Sequence, residues 1–255
     1  MLAEERRQLV REIIEQKGKV TVEDIVINFS VSAVTARSDL DVLAKRREVL
    51  RSHGGAVRQL NAAIDYPLRF KESIHFAEKL RIGEAAVQLI RPNHSIILDS
   101  GTTTVHIARQ IKSARIHPLT VITNALNVAY ELAEVEGVTL IVVGGILRPA
   151  SSSMVGPQAE RMLKDLHADH LFLGVDALHP DVGYCTPDIL EAQVNALMIR
   201  ISNEVTVVAD ASKFGKRSLS LIGGVECARR IITDNSVNPQ IVDMLRAKGV
   251  EVDVV

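Results

Sequence analysis

The first 46 residues place apolar side chains at helical spacing in three short runs. The first run covers residues 4–16, and Gly18 follows it in the position of a C-terminal cap. Thr21 precedes the second run, and Thr21 with Asp24 resembles a capping box that has aspartate in place of the usual glutamate. The pattern therefore predicts two helices separated by a short turn.

The third run extends over residues 33–46 and places Ala36, Leu40 and Leu43 on one helical face. Ser32 stands just before it and can accept a hydrogen bond from a first-turn N–H group. Two short helices joined by a turn of three or four residues form a helix-turn-helix. The second and third runs together predict this motif.

A basic hairpin is predicted directly after the third helix. Residues 49–52 have the pattern of a strand, residues 53–55 that of a turn and residues 56–57 that of a return strand. A helix-turn-helix with such a hairpin is a winged helix, in which the third helix enters the major groove of DNA and flanking groups bind phosphates. The alternative that the pattern leaves open is a small three-helix unit with solvated charges.

Hydroxyl and basic side chains of this unit are the candidates for DNA contacts. Thr35, Arg37 and Ser38 project away from the buried stripe of the third helix and can reach base edges. Basic residues at the end of that helix and in the hairpin can contact the DNA backbone. The predicted DNA-binding residues are Thr21, Ser32, Thr35, Arg37, Ser38, Arg46, Arg47, Arg51 and His53.

From residue 76 onward, short apolar runs alternate with helical segments. The predicted strands lie at 95–99, 120–124, 138–143, 170–174, 205–210 and 230–234. Such alternation predicts an α/β domain with a mostly parallel sheet. The predicted domains are a winged helix-turn-helix at 1–57, a linker with Pro67 at 58–75, and a larger α/β domain at 76–255.

Polar and glycine residues follow almost every predicted strand of the larger domain, and ligands of parallel sheets bind at the carboxyl ends of the strands. The segment 100–104, Ser-Gly-Thr-Thr-Thr, has the composition of an anion site, because glycine permits close approach and the following helix directs N–H groups at a ligand. The predicted ligand-binding residues are Asp99, Ser100, Gly101, Thr102, Thr103, Thr104, Thr123, Asn124, Gly144, Gly145, Gly174, Asp176, Asp210 and Lys213.

These residue types suit a sugar phosphate. The phosphate would bind the loop at 100–104, and the sugar hydroxyls would bind Asp99, Asp176 and Asn124. Neither the G-x-x-x-x-G-K-[ST] loop of nucleotide phosphates nor the G-x-G-x-x-G of dinucleotides is present. The alternative left open is that the threonines of this loop only cap a helix.

Composition narrows the class of protein. The 255 residues are 47% hydrophobic and 24% charged, which suits two unequal globular domains with sizeable cores. No apolar run reaches the roughly 18 residues of a membrane helix, and the amino end lacks a signal-peptide pattern, so we expect a cytoplasmic protein.

Cysteine and histidine usage predicts neither a metal site nor a cofactor. The two cysteines, Cys185 and Cys227, are too few for a metal cluster, and nothing suggests a disulfide framework. His167 and His170 are spaced i, i+3, but they lie at a predicted helix-to-strand junction, where solvated or capping histidines are commoner. The net charge of −1 divides into +2 for residues 1–58 and −3 for the remainder, which suits a nucleic-acid-binding front end.

Several short strings make the chain resemble the DeoR family of bacterial transcription regulators. In the front end they are Glu5-Arg6, Val31-Ser32, Thr35-x-Arg37-x-Asp39-Leu40 and His53-Gly54-Gly55-Ala56. In the larger domain they are Leu98-Asp-Ser-Gly-Thr-Thr104, Thr123-Asn124, Gly144-Gly145, Phe172-Leu-Gly-Val-Asp-Ala177, and Val208-Ala-Asp210 with Ser212-Lys213-Phe214. Gly183, Thr186 and Glu191 match a further segment of the family, so the resemblance covers nearly the whole chain.

The resemblance implies a repressor of a sugar-metabolism operon that is controlled by a phosphorylated sugar. The implied effector domain is similar in fold to ribose-5-phosphate isomerase and glucosamine-6-phosphate deaminase, and Glu191 joins the predicted effector-binding residues. The subgroup that looks closest regulates the use of galactosamine or related amino sugars. Ala36 and Ser38 depart from the family pattern, and Ser38 removes one cationic contact with DNA.

The implied partners are double-stranded operator DNA, a phosphorylated sugar and further copies of the chain, as a dimer or tetramer. An alternative follows from the isomerase-like fold. In a sugar-phosphate isomerase or deaminase, Asp176, Glu191 and Lys213 could supply a base and a polarising group. We expect no enzyme, because a winged helix is an unusual companion for a metabolic enzyme and the family is regulatory.

Overall fold

The structure is a computed structural model, and it describes residues 1–46, 48–52, 54–58 and 65–255. The chain divides into two compact units, one of Met1–Asn61 with Arg69–Phe76 and the other of Ala62–Leu68 with Ala77–Val255. Each unit has a hydrophobic core of its own. Within the described ranges, no helix is long and apolar enough to cross a membrane.

Three capped helices open the smaller unit, namely α1 (Ala3–Lys17), α2 (Val22–Phe29) and α3 (Ala33–Lys45). Gly18 ends α1 in the left-handed conformation, with φ at 77°. The Thr21 hydroxyl accepts the Asp24 N–H and the Asp24 carboxylate accepts the Thr21 N–H, which closes the predicted capping box. The Ser32 hydroxyl accepts the Thr35 N–H at 3.1 Å. The predicted helix-turn-helix is therefore confirmed.

The wing is a three-stranded antiparallel sheet in the order β1-β3-β2, made of β1 (Lys19–Thr21), β2 (Val49–Ser52) and β3 (Gly55–Arg58). The sequence pattern predicts β2 and β3 but not β1, because three residues between two helices are too few to show an alternation. Val20 pairs with Ala56, and a Cβ atom on Gly55 would lie 2.1 Å from the Val20 carbonyl oxygen. Glycine is therefore required where β1 meets the hairpin.

The predicted linker contains a short helix, α4 (Leu68–Ser73). The Leu68 N–H donates to the carbonyl oxygen of Ala150 at 2.8 Å, within the larger unit. Ile74 is buried and forms a β-bridge with Ser52, within the smaller unit. The described part of this segment is thus divided between the two units.

Helices and strands alternate through the rest of the chain. The helices are α5 (Phe76–Val87), α6 (Thr102–Ala114), α7 (Leu126–Leu132), α8 (Pro157–Lys164), α9 (Ile189–Arg200) and α10 (Pro239–Ala247). The strands are β4 (Ser95–Leu98), β5 (Leu119–Thr123), β6 (Val138–Val142), β7 (Ile146–Arg148), β8 (Ser153–Val155), β9 (Ala168–Gly174), β10 (Ala177–His179), β11 (Gly183–Thr186), β12 (Ser202–Val208), β13 (Ser220–Gly223), β14 (Arg230–Thr233) and β15 (Glu251–Val254).

Seven of these strands form one sheet in the order β15-β14-β12-β9-β4-β5-β6, and all of its neighbours are parallel. The predicted parallel α/β fold is confirmed. From β4 the chain adds strands toward β6, and it then returns to the other side of β4 with β9. The strand order therefore reverses between β4 and β9, which is the topological switch point where open α/β sheets bind ligands.

Each face of the sheet is covered by a separate apolar layer. Ile97 packs with Leu171 on one face, whereas its neighbours Ile96 and Leu98 pack with Phe172 on the other. Successive side chains of a strand point to opposite faces of the sheet, and both faces are buried here. The predicted strands are therefore continuous apolar runs in the sequence. Because all neighbouring strands are parallel, the seven carboxyl ends lie at the same edge of the sheet.

Candidate DNA-binding helix and strand-end site

The outward face of α3 carries the predicted base contacts. Arg37 and Ser38 are exposed and Thr35 is half-buried, while Ala36 and Leu40 on the opposite face are fully buried. Among the residues that the structure describes, none forms an ion pair or hydrogen bond with the Arg37 guanidinium. The helix therefore presents a cation to solvent from a packed and capped support.

Two hydroxyls predicted to bind DNA hold the helix ends. The Thr21 hydroxyl accepts the Asp24 N–H at 3.0 Å, and the Ser32 hydroxyl lies 3.0 Å from that of Thr35. Hydroxyls in these positions satisfy first-turn amides that have no partner within a helix. Their capping role is established by the geometry, and their contact with DNA stays a prediction.

The basic residues near the wing already have partners within the unit. The guanidinium of Arg46 pairs with the exposed carboxylate of Glu4, which holds the pKa of Glu4 below its usual value. Arg51 donates to the Gly55 carbonyl oxygen at 2.7 Å and lies 3.0 Å from the Asp41 carboxylate. The other two predicted contacts in this region, Arg47 and His53, lie outside the described residues.

A carboxylate to which no sequence pattern assigned a role lies on the buried face of α3. Asp39 is 1% exposed, and its two oxygens accept the Nε–H groups of Arg6 at 2.5 Å and Arg7 at 2.9 Å. The signal in the sequence was present, since Asp39 and Arg6 both belong to the strings that carry the family resemblance. The two guanidinium groups neutralise the carboxylate and join α1 to α3.

The carboxyl ends of β4 and β9 meet closely at the switch point. A Cβ atom on Gly101 would lie 3.2 Å from the Gly174 Cα atom, so the two backbones approach as closely as glycines allow. Asp99 lies beside them at 2% exposure, and its carboxylate accepts the Gly101 N–H at 3.0 Å. Burial raises the pKa of Asp99 to about 7, and the nearby carboxylate of Asp176 adds to the shift, although the backbone amides of Gly101 and Gly174 oppose it.

The predicted anion loop forms the first turn of α6. Gly101 is the N-cap residue and supplies no side-chain cap, so the first-turn N–H groups of the helix face the edge of the sheet. The Thr104 hydroxyl lies 2.9 Å from the Asp99 carbonyl oxygen and 2.7 Å from that of Gly101, so its proton is used within the protein. Thr103 is buried and Thr102 is half-buried. Backbone amides, rather than three hydroxyls, are the main donors that this turn offers.

The hairpin of β7 and β8 pairs with the end of β5. The Met154 N–H donates to the Asn124 carbonyl oxygen at 2.7 Å, and the Asn124 side-chain amide donates to the Met154 carbonyl oxygen at 3.0 Å. The Thr123 hydroxyl accepts the Ala125 N–H. Asn124 therefore holds the hairpin in place, and its Oδ1 atom is buried without a hydrogen-bond partner among the described residues.

The glycine pair after β6 has a structural task. Gly144 is exposed, and Gly145 has φ at 158° with a Cβ position that would lie 2.7 Å from the Val155 carbonyl oxygen. The close approach of β8 to β7 therefore depends on Gly145. The predicted contact of either glycine with a ligand remains a prediction.

The last predicted residues follow β9 and β12. Asp176 accepts the Thr186 hydroxyl at 3.2 Å, and Asp210 accepts the Ser212 N–H at 3.1 Å and so begins the 3-10 turn Ala211–Lys213. Lys213 is half-buried on that turn. These groups follow adjacent strands of the sheet, so they share the edge that carries Asp99.

Arg148 at the end of β7 belongs to the same region, although the sequence reading missed it. Its side chain is 12% exposed and contacts the carboxylates of Asp65, Asp188 and Glu191. The Glu191 carboxylate also accepts the Ser100 hydroxyl at 3.3 Å, which links Arg148 to the anion loop. A single arginine at the end of a three-residue strand gives no periodic signal, so only the fold reveals the cluster. In the parts of the chain that the structure describes, no group of three or more His, Cys, Asp or Glu side chains could hold a metal ion.

Two family models match the chain. The DeoR-like helix-turn-helix domain matches residues 6–60, and the DeoR C terminal sensor domain matches residues 74–235. The first match covers α1 to the wing, and the second covers the parallel sheet up to the end of β14.

Curated relatives match over nearly the full length. The chain is 39% identical over 253 residues to a candidate aga operon transcriptional repressor of Escherichia coli O157:H7, covering 98% of this chain and 93% of that protein. It is 34% identical to the uncharacterised HTH-type transcriptional regulator YulB of Bacillus subtilis (strain 168), covering 100% and 98%. It is 32% identical to the transcriptional repressor AccR of Agrobacterium fabrum, covering 97% and 96%.

Solved structures match the chain with low scores. Ribose 5-phosphate isomerase A of Methanocaldococcus jannaschii matches with a TM-score of 0.40 and 18% identity, covering 55% of this chain and 54% of that chain. A translation initiation factor eIF-2B of Pyrococcus horikoshii matches with a TM-score of 0.46 and 16% identity, covering 90% and 85%. Scores of this size do not bear on ligand or activity.

Proposed function

The chain belongs to the DeoR family of transcription regulators, and we propose that it is a repressor of a sugar-metabolism operon whose binding to operator DNA is controlled by a phosphorylated sugar. The observation that carries the proposal is the exposed Arg37 on a capped third helix of a winged helix-turn-helix, on the same chain as a sensor domain. The relatives reported above include named transcriptional repressors, which supports the direction of regulation.

In this proposal α3 reads bases and the wing holds phosphates. Arg37 can donate two parallel hydrogen bonds to a guanine, and Thr35 and Ser38 can contact either groove edge. Arg46 and Arg51 contact phosphates after exchanging or sharing their present carboxylate partners. Two or more chains assemble through the larger unit, because a pseudo-palindromic operator requires two recognition helices related by twofold symmetry.

The effector binds at the strand-end edge in this proposal. Its phosphate takes the first turn of α6, where backbone amides and the positive end of the helix dipole favour an anion. Burial raises the pKa of Asp99 beside this turn to about 7, so this carboxyl repels the phosphate less than a fully ionised carboxylate would. The sugar hydroxyls bind Asp176, Asp210 and Lys213, which follow the neighbouring strands.

We propose that the larger unit senses its ligand and does not convert it. The relatives reported above are named as transcriptional regulators. Incubation of the purified chain with aldose and ketose phosphates, followed by product analysis, tests this part. Turnover at an enzymatic rate that disappears in Glu191→Ala would show that the larger unit is an enzyme and not a sensor.

The main test is a band-shift assay with the full chain and duplex DNA from upstream of its own operon. A panel of hexose and amino-sugar 6-phosphates is expected to include a compound that weakens operator binding about 5–150-fold, the usual range of allosteric coupling. If the chain does not bind this DNA at low ionic strength, the proposed regulator is wrong.

A matched pair of variants tests the phosphate position. Thr102 is half-buried in the first turn of α6, where an acidic residue suits the helix but repels an anion. We expect Thr102→Asp to abolish the response to the effector and Thr102→Asn, which has the same shape without the charge, to keep it. An equal response of both variants would place the anion elsewhere.

A further inference from the structure

Arg148 is the most heavily contacted cation of the strand-end region. Its Nε lies 3.1 Å from Asp188, one terminal nitrogen lies 3.0 Å from Glu191 and 2.8 Å from the Ser151 hydroxyl, and the other contacts Asp65. Every nitrogen of the guanidinium thus has an acceptor. Although burial lowers it, the carboxylates of Glu191, Asp65 and Asp188 hold the pKa of Arg148 above its usual value, so the group stays charged.

The cluster contains more negative charge than Arg148 can neutralise. One guanidinium faces three carboxylates, so at least one of them can leave without depriving the cation of a partner. Asp188 also caps α9 by accepting the Glu191 N–H at 2.8 Å, and Glu191 also accepts the Ser100 hydroxyl. Both are held on a packed helix. Asp65 instead lies in the irregular segment 65–67, which makes it the partner that can move at the smallest cost.

The segment that carries Asp65 leads along the chain from the DNA-binding unit. Within the larger unit, Asp65 contacts Arg148 of the β7–β8 hairpin, and the Leu68 N–H donates to the Ala150 carbonyl oxygen of the same hairpin. On its other side, Arg148 reaches the loop at the start of α6 through Glu191 and Ser100. Arg148 therefore contacts both the proposed phosphate site and the chain segment that leads to the DNA-binding unit.

We propose that Arg148 recognises the anionic group of the effector and that Asp65 is an internal competitor which the effector displaces. The inference rests on the proposed function and names the residue that couples its two halves. A phosphate carries more charge than one carboxylate and can accept a charge-assisted hydrogen bond from the terminal nitrogen that contacts Asp65, so it can replace Asp65 there while Asp188 and Glu191 keep the other nitrogens. Displacement breaks the contact of Asp65 with the hairpin, and the change in operator affinity follows from the loss of that contact.

Calorimetric titration of the full chain with orthophosphate tests the competition. We expect Asp65→Asn to bind orthophosphate about tenfold more tightly than the wild type, because one charge-assisted hydrogen bond no longer has to be broken. The matched control is Asp181→Asn, which removes an exposed carboxylate that pairs with Lys248 in the turn between β10 and β11. Affinity in Asp65→Asn no higher than in this control would overturn the competition.

A second variant tests recognition without emptying the cluster of its cation. Arg148→Lys keeps a positive charge beside the three carboxylates, but a single ammonium group cannot hold Asp188 and Glu191 and also present a separate nitrogen to the anion, so we expect about tenfold weaker binding of orthophosphate. Thermal unfolding verifies that both variants are folded. Unchanged affinity in folded Arg148→Lys would show that Arg148 does not bind the anion.

Operator binding separates this inference from the proposed function. Without phosphate, Asp65→Asn is expected to bind the operator duplex as weakly as the wild type does at saturating orthophosphate. If the wild type binds the duplex and Asp65→Asn binds it equally well, the coupling through Asp65 is wrong and the regulator stands. If the wild type does not bind the duplex, the proposed function itself fails.

Discussion

Each unit of the chain buries an aspartate at one of its functional elements, and the two carboxylates have opposite electrostatic surroundings. Asp39 on the buried face of α3 is 1% exposed, and Asp99 at the strand-end edge is 2% exposed. Asp39 receives two guanidinium groups, from Arg6 and Arg7. Asp99 receives backbone amides and a hydroxyl, and its nearest charged neighbour is another carboxylate, that of Asp176.

Asp39 is therefore a structural carboxylate, whereas the ionisation of Asp99 can change when a ligand binds. Two cations neutralise Asp39 within the fold, so it joins α1 to α3 whether or not DNA is bound. Asp99 has no cationic partner among the described residues. Because its pKa is about 7, its protonated and ionised forms are both populated near neutral pH. Buried groups with strongly shifted pKa values gather at functional sites, which is the reason for placing the effector beside Asp99.

The largest expected effect is the loss of Asp39. Asp39→Ala leaves the buried guanidinium of Arg6 without its carboxylate, and breaking a buried pair in this way costs up to about 5 kcal/mol of unfolding free energy. Hydrogen exchange of amides in α1 and α3, measured on the full chain by mass spectrometry, reports this loss in the smaller unit.

Asp41→Ala provides the matched control for Asp39. Asp41 lies on the same helix but pairs with Arg51 at the surface, so its removal is expected to cost less than about 1 kcal/mol. Equal protection of α1 and α3 in both variants would mean that the buried pair does not stabilise the unit.

The contribution of Asp99 to the free energy of unfolding is expected to depend on pH. Above pH 4 an unfolded chain has released the proton of this carboxyl, whose ordinary pKa is 3.8, whereas the folded chain keeps it up to about pH 7. The folded state therefore loses stability as the pH rises from 4 to 7, by up to about 4 kcal/mol at about 1.36 kcal/mol for each pH unit.

Asp99→Asn removes this contribution and keeps the shape of the side chain. The unfolding free energy of the variant relative to the wild type is expected to increase between pH 4 and pH 7 and to level off above pH 7. Urea unfolding at a series of pH values measures this difference between variant and wild type. The contributions of the other titrating groups cancel in it. A difference that does not change with pH would mean that Asp99 is ionised in the folded protein, like an aspartate with a cation beside it.

The sequence predicted those parts of the fold that local patterns encode. Gly18, Thr21 and Ser32 act within one turn of their position, so the helix ends of the smaller unit follow directly from residue types. The apolar runs predicted the strands of the parallel sheet for the same reason. Strand β1 was not predicted because it pairs with residues far along the chain, such as Ala56 opposite Val20, which is 36 positions away.

The strand-end residues were predictable and their interactions were not. The carboxyl ends of parallel strands meet at one edge, so Asp99, Asp176 and Asp210 could be grouped from the sequence. Arg148 could not, because its contact with Asp65 joins the end of β7 to the irregular segment 65–67, and the two residues are 83 positions apart. Its three carboxylates become one cluster only when the hairpin, α9 and the segment at 65–67 are placed in the fold.

Arg37 is the exposed counterpart of Asp39 on the same helix, α3. Asp39 accepts two arginines from α1, whereas Arg37, two positions earlier on α3, is exposed and lies away from that pair. We expect Arg37→Ala to weaken operator binding about 10–100-fold, as the loss of a two-pronged base contact does, and to leave sugar-phosphate affinity unchanged. A band-shift titration measures the first and calorimetry the second, with the exposed Arg200 on α9, as Arg200→Ala, serving as the control. Unchanged DNA affinity would remove α3 from the interface.

The smallest expected effect concerns Glu4, a third carboxylate that pairs with an arginine at the surface. Because the Glu4–Arg46 pair is exposed, Arg46 can exchange Glu4 for a phosphate, which the buried partners of Asp39 cannot do. Arg46→Ala is expected to reduce the slope of log affinity against log salt concentration by about 1, and Glu4→Gln is expected to keep the slope while binding slightly more tightly at low salt. Operator titrations over a series of salt concentrations measure both slopes. Equal slopes in Arg46→Ala and the wild type would show that Arg46 stays with Glu4 in the complex, so that this surface pair behaves as the buried one does.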